Sequence, residues 1–315
     1  MTDILLTCPP MILQRKEFDG RFAELGWRVH VPEFEQTLSE EKLVELVPRF
    51  DGWIIGDDPA SRRVVEVGAA GKLKAAVKWG VGVDNVDFEA FADSGVPVAN
   101  TPGMFGQEVA DVALGYVIAL ARRTFEIDRG VRAGGWPKPA GISLAGKTVA
   151  LIGFGDIGRN TAKRLAACDM RVVVSDPASS EEAVARAGYE AGRWPTVLAE
   201  ADFVVFTCAL TPYNRHMLND DSLSRCKPGL KVVNVARGPL IDEASLIRAL
   251  NQRTVDGCAL DVYEVEPLTS ENALRRLPAV ILGSHNASNT IDAVRRTSIE
   301  AIRRLHASLD RGAKG

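Results

Sequence analysis

Residues 147–177 read KTVALIGFGDIGRNTAKRLAACDMRVVVSDP. The stretch opens on an apolar run, Thr148 to Ile152, too short for a helix and β-branched enough for a strand buried in a parallel sheet. Gly153, Gly155 and Gly158 follow as G-x-G-x-x-G, and a helical pattern begins with Ile157, Ala162 and Leu165 on one face. A second apolar run, Val172 to Val174, ends at Asp176. Strand, glycine turn, helix, strand and acid in that order predict a dinucleotide site. The first glycine makes the turn, the second lets a pyrophosphate approach the backbone, and the third lets helix and strand pack closely. Main-chain N–H groups at Phe154, Asp156 and Ile157 open the helix and favour phosphate. Asp176 is placed to accept hydrogen bonds from ribose hydroxyls and to repel a 2′-phosphate, so NAD is expected over NADP.

Outward from this unit the chain keeps alternating. Before it, strands are predicted at Asp3 to Thr7, Trp27 to Val31, Gly52 to Gly56, Lys74 to Trp79 and Pro97 to Asn100. Helices are expected at Lys16 to Leu25, Ser39 to Val47 (capped by Ser39) and Arg62 to Ala70. Thr101 to Gly103 reads as a break. One long helix is then expected from Gly106 to Arg132, and a Gly- and Pro-rich loop from Ala133 to Gly146. After it, strands are predicted at Phe203 to Thr207, Lys231 to Val235, Gly257 to Asp261 and Val280 to Gly283. Asp242 caps a helix from Glu243 to Asn251, and a last helix runs from about Ile291 to Leu309. The pattern is α/β, with two doubly wound parallel sheets.

Composition excludes several classes. The 315 residues are 46% hydrophobic and 25% charged, with a formal charge of −3, which offers no general attraction for nucleic acid or an anionic membrane. No apolar run approaches a membrane span, and the N-terminus does not read as a signal peptide. Five scattered cysteines lack metal-ligand spacing, so no metal site is expected and a reducing cytoplasm is the natural setting.

In an open parallel sheet, ligands bind beyond the carboxyl ends of the strands. Arg237, Asp261, Glu266 and His285 all fall there, together with Ala236. Alone, His285 would be an ordinary loop histidine, and Glu264 competes with Glu266 in the same DVYEVEP segment. Taken together, the residues suit hydride transfer coupled to proton transfer. A histidine exchanges the proton at neutral pH, a carboxylate orients it, and an arginine holds a substrate carboxylate. His30, His216 and His306 lack such a constellation and are expected to be structural or surface residues.

The chain resembles the D-isomer-specific 2-hydroxyacid dehydrogenases, most closely their phosphoglycerate dehydrogenase-like branch. The resemblance rests on GVGVDNVD (Gly80 to Asp87), NTPG (Asn100 to Gly103), GFGDIG (Gly153 to Gly158), NVARGPLID (Asn234 to Asp242), ALDVYEVEP (Ala259 to Pro267) and SHNASNT (Ser284 to Thr290). It implies a Rossmann NAD-binding domain (residues 101–286) inserted into a flavodoxin-like substrate domain (residues 1–100 and 287–315), with a cleft that closes on substrate. It also implies that Arg237, Glu266 and His285 form the catalytic set, and that Asp261 contacts the nicotinamide carboxamide. Gly80, Val81 and Gly82 would offer N–H groups to the carboxylate of a small 2-hydroxy or 2-oxo acid, and a homodimer would be the assembly. Trp79, Ala209, Asn214, Ser284 and the acidic loop Gly56 to Ser61 depart from the family pattern. Two aspartates in that loop are expected to repel a substrate phosphate. A glyoxylate or hydroxypyruvate reductase and a non-catalytic NAD-sensing protein remain as alternatives.

Overall fold

A computed structural model describes residues 1–33 and 37–312. The chain divides into two compact units. The first comprises Met1–Met104 and Asn289–Gly315, the second Phe105–Ser288.

The first unit runs β1 (Thr2–Leu6), α1 (Pro9–Leu13), α2 (Asp19–Glu24), β2 (Trp27–His30), α3 (Glu40–Leu46), β3 (Gly52–Ile55), α4 (Arg62–Ala70), β4 (Ala75–Lys78), α5 (Phe88–Asp93) and β5 (Val98–Asn100). Its five strands pair in parallel in the order β2-β1-β3-β4-β5, the flavodoxin-like arrangement. Every residue of β3 and β4 is buried, because helices cover both faces. The expected Ser39 cap accepts the N–H of Lys42 at 3.3 Å. The helix expected over Lys16 to Leu25 is shorter, because Arg15–Glu17 form a separate 3₁₀ turn before α2. The last helix of the chain (Ile291–Gly312) packs on β3 and β4.

The second unit holds α6 (Gly106–Arg122), α7 (Thr124–Arg132), β6 (Thr148–Ile152), α8 (Asp156–Ala166), β7 (Arg171–Ser175), α9 (Glu181–Arg186), β8 (Glu190–Ala191), β9 (Phe203–Phe206), α10 (Asp220–Leu223), β10 (Leu230–Asn234), α11 (Glu243–Asn251), β11 (Val255–Leu260) and β12 (Val280–Leu282). Seven parallel strands lie in the order β12-β11-β10-β9-β6-β7-β8. The order reverses at β6, the strand that leads into the glycine turn, which is where a doubly wound sheet opens a ligand crevice. β6, β9 and β10 are buried throughout, and their side chains are the centre of this unit's core.

One expectation fails here. The helix expected to run unbroken from Gly106 to Arg132 is interrupted at Arg123, whose φ of 54° is left-handed. The turn ends α6 and leaves the Ala121 carbonyl to accept the N–H of Ile142, at 2.8 Å, instead of continuing the helical ladder.

Candidate active site

The glycine turn at the end of β6 is fixed by sterics. Gly153 has a φ of +96°, and a Cβ there would sit 2.7 Å from the Cys208 Cα. A Cβ on Gly158 would lie 2.2 Å from the Gly153 carbonyl oxygen, so only glycine lets α8 start against the turn. A Cβ on Gly155 would meet nothing within 4 Å, so this position faces open space. Gly155 also caps α8 without a side chain, and the first N–H groups of the helix have no intrahelical acceptor. An open backbone cradle at a helix N-terminus fits a pyrophosphate.

The neighbouring residues sharpen the sequence reading. The Asp176 carboxylate, after β7, accepts the N–H of Phe154 at 2.6 Å and that of Ala178 at 2.9 Å. It therefore braces the glycine turn as well as standing where ribose hydroxyls are expected. Phe154 is buried, with the Arg159 guanidinium 5.4 Å from its ring centre and Tyr189 edge-on at 5.8 Å. The Asp156 side chain faces away. A Cβ on Gly106, the first residue of α6, would lie 2.4 Å from Asp156 Oδ2. That carboxylate lies against the first residue of α6 and accepts from the Asn160 amide at 3.2 Å. Ile157 is half-buried one residue further along α8.

The other predicted groups leave three adjacent strands. Arg237 follows β10, Asp261 and Glu266 follow β11, and His285 follows β12. His285 Nδ1 lies 2.7 Å from Glu266 Oε2, and Glu266 Oε1 accepts the N–H of Tyr263 at 2.9 Å. Glu266, not Glu264, is thus the partner of His285. His285 has a φ of 54°, a left-handed conformation that persists in a non-glycine residue where its surroundings enforce it. Asp261 supplies that enforcement. Its carbonyl accepts the His285 N–H at 2.7 Å, and its carboxylate accepts the N–H of Asn286 at 3.1 Å and of Ala287 at 2.8 Å. Asp261 is only 3% exposed, so the loop that carries His285 is built on a buried anion.

Several groups escaped the sequence reading. Asn234 is fully buried; its amide donates to the Arg237 carbonyl at 2.8 Å and its oxygen accepts the Ala236 N–H at 3.0 Å. The residue that opens the NVARG motif therefore shapes the turn carrying Arg237. The hydroxyl of Tyr263 reaches the carbonyls of Leu260, at 3.1 Å, and Gly283, at 2.8 Å, and so bridges the ends of β11 and β12. Tyr116, on α6, lies beside Gly283 and Asp261. Burial, and after it the Asp261 charge, pushes its phenol up to about 12. A buried polar side chain at a strand end is the signal that would have found Asn234; nothing local marks Tyr116.

In the first unit, Gly80 has a φ of +132°, and its N–H donates to Thr101 Oγ1 at 2.8 Å. Val81 is exposed and Gly82 half-buried on the loop after β4. The acidic loop differs from expectation. Asp58 is fully buried and accepts the Leu38 N–H at 2.8 Å; burial raises its carboxyl. Asp57 lies 2.8 Å from Nζ of Lys78, a lysine with only 3% of its side chain exposed. One aspartate is turned inward and the other is paired with a cation, so the loop does not present the two open negative charges that were expected to repel a phosphate. Trp79 is buried too, its Nε1–H donating to Ser298 Oγ at 3.1 Å. Among the described residues no cluster of His, Cys, Asp or Glu is arranged to hold a metal, and no helix is long and apolar enough to cross a membrane.

Residues 114–287 match the family model described as D-isomer specific 2-hydroxyacid dehydrogenase, NAD binding domain. The chain is 35% identical over 279 residues to the hydroxypyruvate reductase of Thermotoga maritima, covering 87% of this chain and 90% of that protein. It is 34% identical over 265 residues to D-3-phosphoglycerate dehydrogenase 3, chloroplastic, of Arabidopsis thaliana, covering 84% of this chain but 45% of that longer protein. Among solved structures, the TT0316 protein from Thermus thermophilus superposes with a TM-score of 0.86 at 31% identity, covering 98% of this chain and 97% of that one.

Proposed function

The chain belongs to the D-isomer-specific 2-hydroxyacid dehydrogenases, NAD-dependent oxidoreductases, and from that premise we propose that Arg237, Glu266 and His285 are its catalytic set, acting on a small 2-oxo acid and its D-2-hydroxy counterpart. The observation that carries the assignment is the His285–Glu266 contact of 2.7 Å at the ends of β12 and β11, beside a strand that ends in Arg237. NAD, when bound, supplies or accepts the hydride. Gly153, Phe154, Gly155, Asp156, Ile157 and Gly158 hold its phosphates through the main chain, and Asp176 takes the ribose. Ala236 and Asp261 are assigned to the cofactor as well, from the ends of β10 and β11.

The proton steps follow from the geometry. With Nδ1 committed to Glu266, Nε2 of His285 is the nitrogen that gives a proton to the carbonyl oxygen in reduction and takes it back in oxidation. The Glu266 carboxylate fixes the ring and stabilises its charged form. Arg237 offers planar N–H donors that suit a carboxylate beside a carbonyl. Val81 and Gly82 are assigned to the substrate carboxylate through their main-chain N–H groups. The names of relatives, hydroxypyruvate reductase and phosphoglycerate dehydrogenase among them, support 2-oxo acids with a short distal group.

The test is NADH oxidation against glyoxylate, hydroxypyruvate, pyruvate and 3-phosphohydroxypyruvate. At least one is expected to turn over, and His285→Ala is expected to lower kcat by about 10²–10⁴-fold with NADH still bound. NADH binding without turnover on any of the four would favour the non-catalytic, NAD-sensing alternative. We further propose a cytoplasmic homodimer. None of the residues of α7 is buried within the chain, and Phe125 (46% exposed), Val131 (43%) and Trp136 (77%) present apolar surface suited to a second copy. Sedimentation of the purified protein as a monomer would remove that reading.

A further inference from the structure

The DVYEVEP segment engages two histidines, not one. Two residues before Glu266, Glu264 Oε1 is in ion-pair contact with Nε2 of His216, a residue from the loop between β9 and α10. Both atoms are shut off from water; they meet as a close ion-pair contact, and neither has a hydrogen-bond partner among the described residues. His216 has a φ of 53°, a conformation that needs enforcement. Its N–H donates to the Pro239 carbonyl at 2.7 Å, and Leu218 bridges Ile241 beyond it. His216 is therefore fastened on one side to the turn that follows Arg237 and on the other to the loop that carries Glu266.

The surroundings explain why this loop needs a fastening. Val262 and Tyr263 are buried at 2% and 5% exposure, but Val265 is 64% exposed, so the chain has left the core before it reaches Glu266. Glu264 is the last anchored residue on that path. Its side chain holds His216, and its N–H donates to Glu243 Oε1 at 2.7 Å. The Gly238 backbone packs directly on Tyr263 and Glu264, so a displacement of Glu264 is felt at Arg237 as well.

We propose that His216 and Glu264 are positioning residues for the reaction: their ion pair holds the Glu266 loop and the Arg237 turn in register, so that His285 and Arg237 meet the substrate together. This rests on the catalytic roles proposed above for Arg237, Glu266 and His285. The pair itself touches neither substrate nor cofactor.

The test uses the full-length protein with sites counted by NADH fluorescence titration. His216→Ala is expected to lower kcat per site about ten-fold and to raise KM for the 2-oxo acid by a similar factor, leaving KM for NADH within about two-fold. His216→Gln, which can still reach Glu264, is expected to recover most of both parameters. In a Glu266→Gln background the part of the His216→Ala loss in kcat that runs through Glu266 should disappear, while the rise in KM, which runs through the Arg237 turn, should remain. A merely structural pair would lower the melting temperature and leave per-site kcat and KM unchanged, and that result would overturn the proposal. A second readout does not depend on turnover. In protein labelled with ¹⁵N-histidine, the Nδ1 resonance of His285, identified by its loss in His285→Ala, should shift in His216→Ala toward its value in Glu266→Gln. An unshifted resonance would also overturn the proposal. Absence of turnover in the unmodified protein would instead count against the catalytic reading, and the resonance would then decide this one.

Discussion

Gly238→Ala, the smallest change available at the residue after Arg237, probes the closest backbone approach in the site. An added Cβ would stand 1.8 Å from the Tyr263 carbonyl carbon, 1.9 Å from its oxygen and 2.5 Å from the Glu264 nitrogen. All three are main-chain atoms, so no side chain can swing aside. Ordinary contact begins near 3.4 Å, so the Arg237 turn and the Glu266 loop must part by about 1.6 Å. Misplacing a catalytic group by about 1 Å costs on the order of 10²-fold in rate. The expected loss in kcat/KM for the 2-oxo acid is therefore at least about 10²-fold, equivalent to about 2.7 kcal/mol. Overpacking of this kind also destabilises by about 1–3 kcal/mol, a melting-temperature drop of roughly 2–4 °C per kcal/mol for a unit of this size. The assay is steady-state NADH oxidation on protein shown to be folded by circular dichroism, with NADH binding followed by fluorescence. NADH should still bind, because most of its proposed contacts come from the glycine turn and Asp176, on other strands. A folded Gly238→Ala protein with kcat/KM within about three-fold of the unmodified enzyme, under about 1 kcal/mol, would refute the claim that this contact sets the geometry of Arg237 and Glu266.

Three other perturbations have expected outcomes. Asp261→Asn keeps one acceptor but turns an N–H₂ toward the Asn286 or Ala287 N–H, at a cost of about 1–3 kcal/mol; hydrogen exchange at those two amides should accelerate as kcat falls, and unchanged protection would show that the carboxylate does not hold the loop. Asp176→Ala removes the acceptor of the Phe154 and Ala178 N–H groups, so NAD should bind more weakly and the preference over NADP should shrink by about ten-fold, measured as a ratio of Kd values. An unchanged ratio would deny the ribose role. Tyr116 titrates near 12 in the folded chain, above its ordinary value of 10.0, so the stability it contributes is complete below about pH 10 and is lost as pH rises toward 12. Tyr116→Phe should flatten the fall of the urea midpoint across that window, and identical slopes would exclude Tyr116 as the group responsible.

The sequence by itself determined the glycine turn and the character of the two sheets. Each part of the G-x-G-x-x-G unit acts on neighbours within one strand–turn–helix–strand stretch, where spacing fixes geometry. The strand ends bearing Arg237, Asp261, Glu266 and His285 were legible for the same reason, since parallel strands expose their carboxyl ends on one edge. Tertiary structure alone decided what those residues touch. Asp57 and Asp58 are adjacent and chemically identical, yet one meets Lys78 and the other is buried against the Leu38 N–H, through contacts 21 and 20 residues away. The helix after Gly106 has an apolar pattern that runs past Arg123, but a left-handed residue and a bond from Ile142 to the Ala121 carbonyl end it. Glu264 and Glu266 differ by two positions; Glu266 was expected beside His285, but only the fold brings Glu264 to His216. Local periodicity carries no information about such pairings, because they are set by which loops the sheet order brings side by side.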